Sequence, residues 1–413
     1  MHTLIKPFRA LRPAPGQASA VAAPPYDVLN TDEARQRARG RPSSFLHISK
    51  PEIDLPEGTD PYCATVYAKG AENLRQLVQS GVLVRDEKPH YYVYQIRMGE
   101  HVQTGIACVG SVAEYDRNRI RKHEFTRLDK EDDRVRQITA LNAQTGPVLL
   151  AYRSNAELRQ IIGQNSQSAP ACQVTADDGI VHTIWVIDDR EQVGAVTRIV
   201  DAMDSLYIAD GHHRSAAASR VAATRGADNP RHSGDLDYNY FLCVAFPHDE
   251  MRILDYNRVV KDLNGLTPVE FLARIAPKFT ATPLTTQARP TRAGQFGLYL
   301  KDQWYLLDIL PALIPTDPVA SLDVSLLQEH VLAPVLGIGD PRRDKRIDFV
   351  GGIRGLDELA RRVDSAEMAV AFALFPTSLS ALMAVADANE VMPPKSTWFE
   401  PKLADGLISH LLD

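Results

Sequence analysis

Between Ser205 and Ala222 the chain reads SLYIADGHHRSAAASRVA. A short apolar run of strand-forming residues meets Asp210-Gly211-His212-His213-Arg214, and an alanine-rich, helix-forming segment follows at once. That order restricts the fold to one in which the carboxyl end of a strand opens onto a helix start, where open α/β sheets hold their ligands. Such a junction presents unbonded backbone N–H groups to an anion. Arg214 can add a two-pronged grip on phosphate oxygens. Asp210 is placed to ligate a cation or to orient a hydroxyl. His212 and His213 offer donors to phosphate or one metal-ligating imidazole. A purely structural reading would make Asp210 the helix cap and pack both histidines. Five consecutive residues of functional type at a strand end favour a ligand site instead.

The rest of the chain supports a mixed fold, α/β or α+β. Strands are expected at His90–Met98, Thr104–Ala113, Pro147–Tyr152, Val181–Asp188, Ser205–Ala209 and Tyr238–Phe246, where β-branched and aromatic residues cluster between turn signals. Helices alternate with them, notably Pro61–Ser80, which carries Val66, Leu74, Leu77 and Val78 at helical spacing and stops at Gly81. Arg41–Pro61 and Gly163–Gly179 read as loops. A boundary is expected near Gly265, giving an N-terminal region 1–265 and a C-terminal α/β region 266–413. Thr267-Pro268-Val269-Glu270 has the form of a capping box, and the pattern restarts after it. The restart comprises a helix, a hairpin closed at Lys301-Asp302, helix Leu322–Leu336, strand Ile347–Val350, helix Leu356–Val363, strand Met368–Leu374 and helix Ser378–Ala388.

Length and charge limit the function. With 413 residues, two to three domains are expected, and a core of that size needs no disulfide or metal to hold it. Lys plus Arg number 46 against 52 for Asp plus Glu, a formal charge of −6. A protein that grips long nucleic acid needs a basic excess, so the balance weighs against one and leaves room only for a local anion site. Cys63, Cys108, Cys172 and Cys243 form no CxxC pair and are expected to be free thiols in a reducing compartment. No signal-peptide core or membrane-spanning run is evident, so the expectation is a cytoplasmic protein.

Two further clusters could carry chemistry. In Arg121-Lys122-His123-Glu124-Phe125-Thr126-Arg127, Glu124 is a candidate general base and His123 could pair with it or meet phosphate. The alternative is a solvated helix start of mixed charge. In Glu390–Leu403, two prolines hold the backbone extended before Lys395-Ser396-Thr397, a possible phosphate contact with hydroxyl donors, or else a closing segment packed by Trp398 and Phe399. Pro24-Pro25-Tyr26-Asp27-Val28 could line a pocket, and Arg258 could reach an anion. The chain lacks GxxxxGK[ST], GxGxxG, HExxH and GxSxG, which removes the common nucleotide and hydrolase folds.

Taken together, ADGHHR (Ala209–Arg214), PPYDV (Pro24–Val28), KHEFT (Lys122–Thr126) with DDR (Asp132–Arg134), YNRVVKDLNG (Tyr256–Gly265) and MPPKSTWFEPKL (Met392–Leu403) resemble a large bacterial and archaeal family of unknown function. The likeness spans Pro24 to Leu407. More distantly the chain is similar to the ParB/sulfiredoxin-like superfamily, and within it to free-serine kinases. Those enzymes carry a His-Glu motif whose glutamate activates the serine hydroxyl, then an Asp-Gly-His-(His/Thr)-Arg motif that holds nucleotide phosphates. Here Glu124 and Asp210–Arg214 occur in that order, at a longer interval than in the compact kinases. About Leu141–Val200 reads as an insertion. The resemblance therefore implies a ParB/sulfiredoxin-like core with large insertions.

It also implies ADP or ATP with Mg²⁺ as cofactor, Glu124 as catalytic base with His123 and Asp210 beside it, and Asp210 as the residue assisting Mg²⁺. Gly211, His212, His213 and Arg214 would bind the phosphates, with Lys395, Ser396 and Thr397 as further contacts. The expected activity is phosphoryl transfer to the hydroxyl of a small metabolite, free serine first among them. A non-catalytic nucleotide- or metabolite-binding regulator is the second expectation. A metal-dependent hydrolase using Asp210, His212 and His213 is the third.

Overall fold

The structure, a computed structural model, describes residues 3–413. Two compact units divide the chain, one formed by Met1–Met251 with Pro401–Asp413, the other by Arg252–Glu400. Sequence reading expects the break at Gly265, but strand Tyr256–Val260 already pairs with Ile347–Gly351 and Val370–Leu374 inside the second unit. The final segment, 401–413, belongs to the first unit, which is thus built from two separated stretches of chain.

The first unit is organised by a nine-stranded mixed sheet. Its strands are β1 Ile5–Lys6, β2 Tyr91–Met98, β3 His101–Ser111, β4 Ile120–Arg121, β5 Val148–Tyr152, β6 Cys172–Thr175, β7 Val181–Ile187, β8 Leu206–Asp210 and β9 Tyr240–Pro247. The spatial order is β4-β8-β5-β9-β3-β2-β7-β6, with β1 also paired to β3. Each expected strand forms with its ends shifted by one to three residues. Gly163–Gly179 is only partly a loop, because Cys172–Thr175 becomes the edge strand β6 against β7. Its polar composition hid the strand, since an edge needs an apolar residue only on the covered side. Val174 alone of those four is buried.

The central strands are apolar on both faces because helices and loops cover both. One face packs Tyr91, Val93, Ile106, Val148, Leu150, Leu206, Ile208 and Phe241 with Ala217, Ala218 and Val221 of the helix His212–Asp228. Burying each large apolar side chain contributes roughly 1.5–3 kcal/mol. Two buried tyrosines of β2 face the other way and keep their hydroxyls bonded, Tyr92 donating to Asp86 at 2.7 Å and Tyr94 meeting His182 Nδ1 at 3.1 Å. Cys108 and Cys243 stand opposite one another on β3 and β9 as free thiols, Sγ to Sγ 3.5 Å.

Five longer helices flank this sheet: α1 Ala64–Gln79, α2 Leu128–Leu141, α3 Ala156–Asn165, α4 Arg190–Asp201 and α5 His212–Asp228. α2 packs on both α1 and α5. Arg41–Pro61, expected to be an irregular excursion, winds into two short helical turns, Leu46–Ser49 and Pro51–Asp54. Its apolar residues Phe45, Leu46, Ile48 and Ile53 join a second core cluster with Leu74, Leu83 and Leu141. Prolines masked that periodicity, and Pro51 sits in the first turn of its helix, where a missing N–H costs nothing.

The second unit holds a six-stranded antiparallel sheet: β10 Tyr256–Val260, β11 Phe279–Leu284, β12 Gln295–Leu300, β13 Gln303–Ile309, β14 Ile347–Gly351 and β15 Val370–Leu374, in the order β11-β13-β12-β15-β10-β14. The capping box forms as expected on α6 Pro268–Ile275, with Thr267 and Glu270 bonding reciprocally. Helices α7 Gly355–Asp364 and α8 Leu379–Asp387 follow the expected pattern. The expected helix Leu322–Leu336 is instead one α-helical stretch, Asp323–Leu327, running into a wide turn, Gln328–Leu332, closed by Ala333 N–H on the Gln328 carbonyl at 3.0 Å. Pro334 has no N–H to continue an α-helix, and its ring collides with the carbonyl four residues back. Among the described residues no helix is long and apolar enough to cross a membrane.

Candidate functional site

Strand β8 and helix α5 make the junction that the sequence announces. Leu206–Ala209 are buried between β4 and β5, and Asp210 ends the strand. Gly211 then turns with φ +99°, a left-handed conformation that glycine adopts without a Cβ penalty. α5 starts at His212, and the Gly211 carbonyl accepts from the Arg214 and Ser215 amides at 2.9 and 3.0 Å. The first turn contains no acidic residue and no side-chain cap. Histidine, histidine and arginine stand where the helix dipole favours negative charge. That arrangement suits an incoming anion.

The His123-Glu124 pair reaches this junction through the sheet. β4 runs parallel to β8, Ile120 opposite Leu206 and Arg121 opposite Tyr207. Parallel pairing brings both carboxyl ends to the same side, so the chain leaving β4 passes the start of α5. The His123 amide meets His212 Nε2 at 3.5 Å, and the two imidazoles pack edge to face with centroids 4.5 Å apart. Glu124 Oε2 lies 3.8 Å from His212 Nδ1, its side chain half exposed. His123 and His212 are 2% and 4% exposed. Burial pushes His123 down to about 4 and holds His212 well below the usual histidine range, where the neighbouring His123 adds to the effect. Both rings are neutral at pH 7.

Asp210 and Arg214 are differently engaged from the expectation. Asp210 Oδ2 accepts from Lys402 Nζ at 2.8 Å, and its Oδ1 is 3.7 Å from Arg214. Burial acts to raise its pKa, but Lys402 and Arg214 outweigh it and hold the carboxyl well below the ordinary range. A carboxylate faced by two cations does not fit Mg²⁺, which prefers carboxylates and waters as its shell. Arg214, expected to point at phosphate, turns back and donates to the Pro147 carbonyl. His213 Nε2 accepts the Arg127 amide at 3.1 Å, which ties the 123–127 segment to α5.

Behind Arg214 lies a small cavity of about 30 Å³ whose polar lining includes Tyr26, Arg134, Gln144, Arg214 and Asp405, against apolar Ile138, Val148 and Phe241. Arg134 lies over the Tyr26 ring at 3.9 Å and bonds Asp133 through two nitrogens at 3.0 and 2.7 Å. Asp405 is 1% exposed, and burial pushes its carboxyl up to about 7. The Pro24–Val28 and Asp132–Arg134 motifs thus meet around one pocket. Sequence reasoning missed Asp405, which sits in no motif and follows Lys402 by three residues. Lys402 was visible only as a repeat of the Pro-Lys pattern at Pro394-Lys395.

Lys395, Ser396 and Thr397 lie in the second unit. There the Lys395 carbonyl accepts from Arg258 at 3.0 Å, Ser396 donates to the Pro393 carbonyl at 2.6 Å, and Thr377 donates to the Ser396 carbonyl at 2.9 Å. Arg258 is buried among these groups, and that burial lowers it to about 10. It anchors a loop here, whereas sequence reading offered it to an anion. Lys395 keeps an exposed side chain at a left-handed φ of 58°.

Residues 5–325 match the pattern of a family described as "Protein of unknown function (DUF1015)". The chain belongs to that family. Solved structures similar to this DUF1015 protein include a free serine kinase point mutant in complex with ADP, at 14% identity over 73% of this chain and 92% of that one, TM-score 0.36. A conserved hypothetical protein from Pyrococcus furiosus is 14% identical over 74% of this chain and 95% of that one, TM-score 0.35. SbnI from Staphylococcus aureus, truncated at its C-terminus, is 12% identical over 73% and 86%, TM-score 0.37. No curated protein matches this DUF1015 chain.

Proposed function

We propose that this DUF1015 protein transfers a phosphoryl group from ADP or ATP to the hydroxyl of a small metabolite, free serine being the first substrate to test. The observation that carries the reading is Glu124 standing 3.8 Å from His212, the first residue of α5. A general base and an anion-accepting helix start then share one site. The motif resemblance to ParB-like serine kinases supports the same assignment of Glu124 and Asp210–Arg214.

In this reading the nucleotide's terminal phosphates sit at the start of α5, held by the amides of the first turn. Lys402 and Arg214 flank Asp210 and place two cationic side chains beside that turn. Glu124 takes the proton of the substrate hydroxyl as its oxygen bonds to the terminal phosphorus. The bond from phosphorus to the nucleotide's bridging oxygen breaks, and the shorter nucleotide leaves with the electron pair. Phosphoryl transfer is governed by positioning and charge stabilisation, so no covalent intermediate on the protein is needed. The Mg²⁺ expected from the resemblance is given no step, because Asp210 does not suit it.

The test is to incubate the purified chain with ADP or ATP, a divalent cation and free serine or a panel of hydroxy acids, and to measure the phosphorylated product. Turnover is expected, and Glu124→Gln should lower it by about 10²–10⁴-fold with nucleotide binding retained. Nucleotide-induced stabilisation with no product from any substrate would favour a regulatory role and overturn the reading, as would full turnover by Glu124→Gln.

A further inference from the structure

We propose that His123, Glu124 and His212 together form a binding site for one divalent transition-metal ion of the Zn²⁺ class. Each residue offers a ligand atom, and the three atoms lie within 4.8 Å of one another. Ligands around a bound Zn²⁺ stand about 3.4 Å apart, given bonds of about 2.0–2.2 Å. The cluster must therefore tighten by about an ångström. Glu124 can supply that movement, because its side chain is half exposed and it lies in the irregular segment between β4 and α2.

A second observation points to a ligand independently. His123 is 2% exposed, yet neither ring nitrogen makes a hydrogen bond of good geometry, the Ile208 backbone being its polar neighbour. Buried polar atoms are almost always bonded, so an orphaned pair calls for an explanation such as an ion. The contrast lies within the same unit: buried His182 bonds Tyr94 at 3.1 Å, and buried His410 bonds the Asp237 carbonyl at 3.0 Å. Glu124 Oε2 stands on the Nδ1 side of His212, so an ion held there does not disturb the 3.5 Å contact that Nε2 makes with the His123 amide.

The chemistry of the donors selects the ion. Two imidazoles and one carboxylate suit Zn²⁺, Fe²⁺ or Co²⁺ and leave coordination positions open for water or an anion. Mg²⁺ and Ca²⁺ want an all-oxygen shell and are not favoured. His213, although adjacent, is left out because its Nε2 accepts the Arg127 amide.

The site shares Glu124 with the phosphotransferase reading but does not rest on it, since binding is measured without nucleotide or turnover. Chelator-treated full-length protein is titrated with Co²⁺, following the visible absorption of the bound ion, and Zn²⁺ binding is measured by calorimetry. One ion per chain is expected. Glu124→Gln and His212→Asn should each weaken binding more than about 10-fold. Glu124→Gln changes a half-exposed side chain, so it reports on ligation even if the buried His212→Asn variant folds poorly. Sub-stoichiometric binding by the unaltered protein overturns the proposal, as does binding that survives Glu124→Gln. Absence of phosphoryl transfer leaves it standing, and absence of metal binding leaves the transferase reading untouched.

Discussion

Asp210 shows how a residue's neighbours decide its role. In the sequence it is an acid at a strand end, a natural cation ligand; in the structure Lys402 and Arg214 occupy that capacity. Removing one partner of such a pair leaves the other charge partly desolvated. Lys402→Gln is therefore expected to lower stability by about 2 kcal/mol in a urea titration at neutral pH. Because the folded pKa of Asp210 is depressed, that stabilisation is present above the unfolded carboxylate value and disappears only as strong acid protonates the folded state. The strand-to-helix junction at ADGHHR was legible because an apolar run, a glycine and an alanine-rich segment follow one another there. Their partners Lys402 and Asp405 were not, because a single Lys or Asp distant in sequence carries no local signal.

At the scale of elements, the β8–Gly211–α5 junction depends on one backbone conformation. A Cβ on Gly211 would meet the Arg214 guanidinium at 3.1 Å, at a φ that other residues seldom adopt. Gly211→Ala should destabilise the protein by about 1–2 kcal/mol and weaken nucleotide binding as the α5 amides lose their aim. Thermal unfolding and nucleotide titration would check both effects. The strands and long helices could be read because their periodicity is set locally, by alternation or by one apolar stripe. Failures fell where a local signal was overridden. Pro334 cut short an apolar stretch that otherwise reads as helix, and the polar Cys172–Thr175 became a strand only because β7 offered an edge to pair with.

For the molecule as a whole, buried titratable groups in the first unit set its response to pH. Burial pushes His182 and His410 down to about 4. The unfolded chain protonates each near pH ~6.5, so stability falls as pH drops from about 6.5 towards 4. Asp405 opposes them: raised to about 7, it keeps a proton when folded that the unfolded chain has released. These three leave a net of one proton, and His123 and His212, also held low by burial, add to the decline across that window. Asp405→Asn should steepen the decline, as urea midpoints measured across the window would show. The division into units was the least legible feature, since a boundary is defined by contacts between distant strands and a capping box marks only a helix.

The return of residues 401–413 to the first unit has a consequence for how the protein comes into being. The strand bearing Asp210 leaves the ribosome long before Lys402 does, and the whole second unit is made in between. Until then Asp210 has Arg214 beside it but lacks the shorter of its two cationic contacts, the 2.8 Å one to Lys402. The Asp210–Lys402 pair, 192 residues apart in sequence, is therefore among the last contacts of the first unit that synthesis makes available.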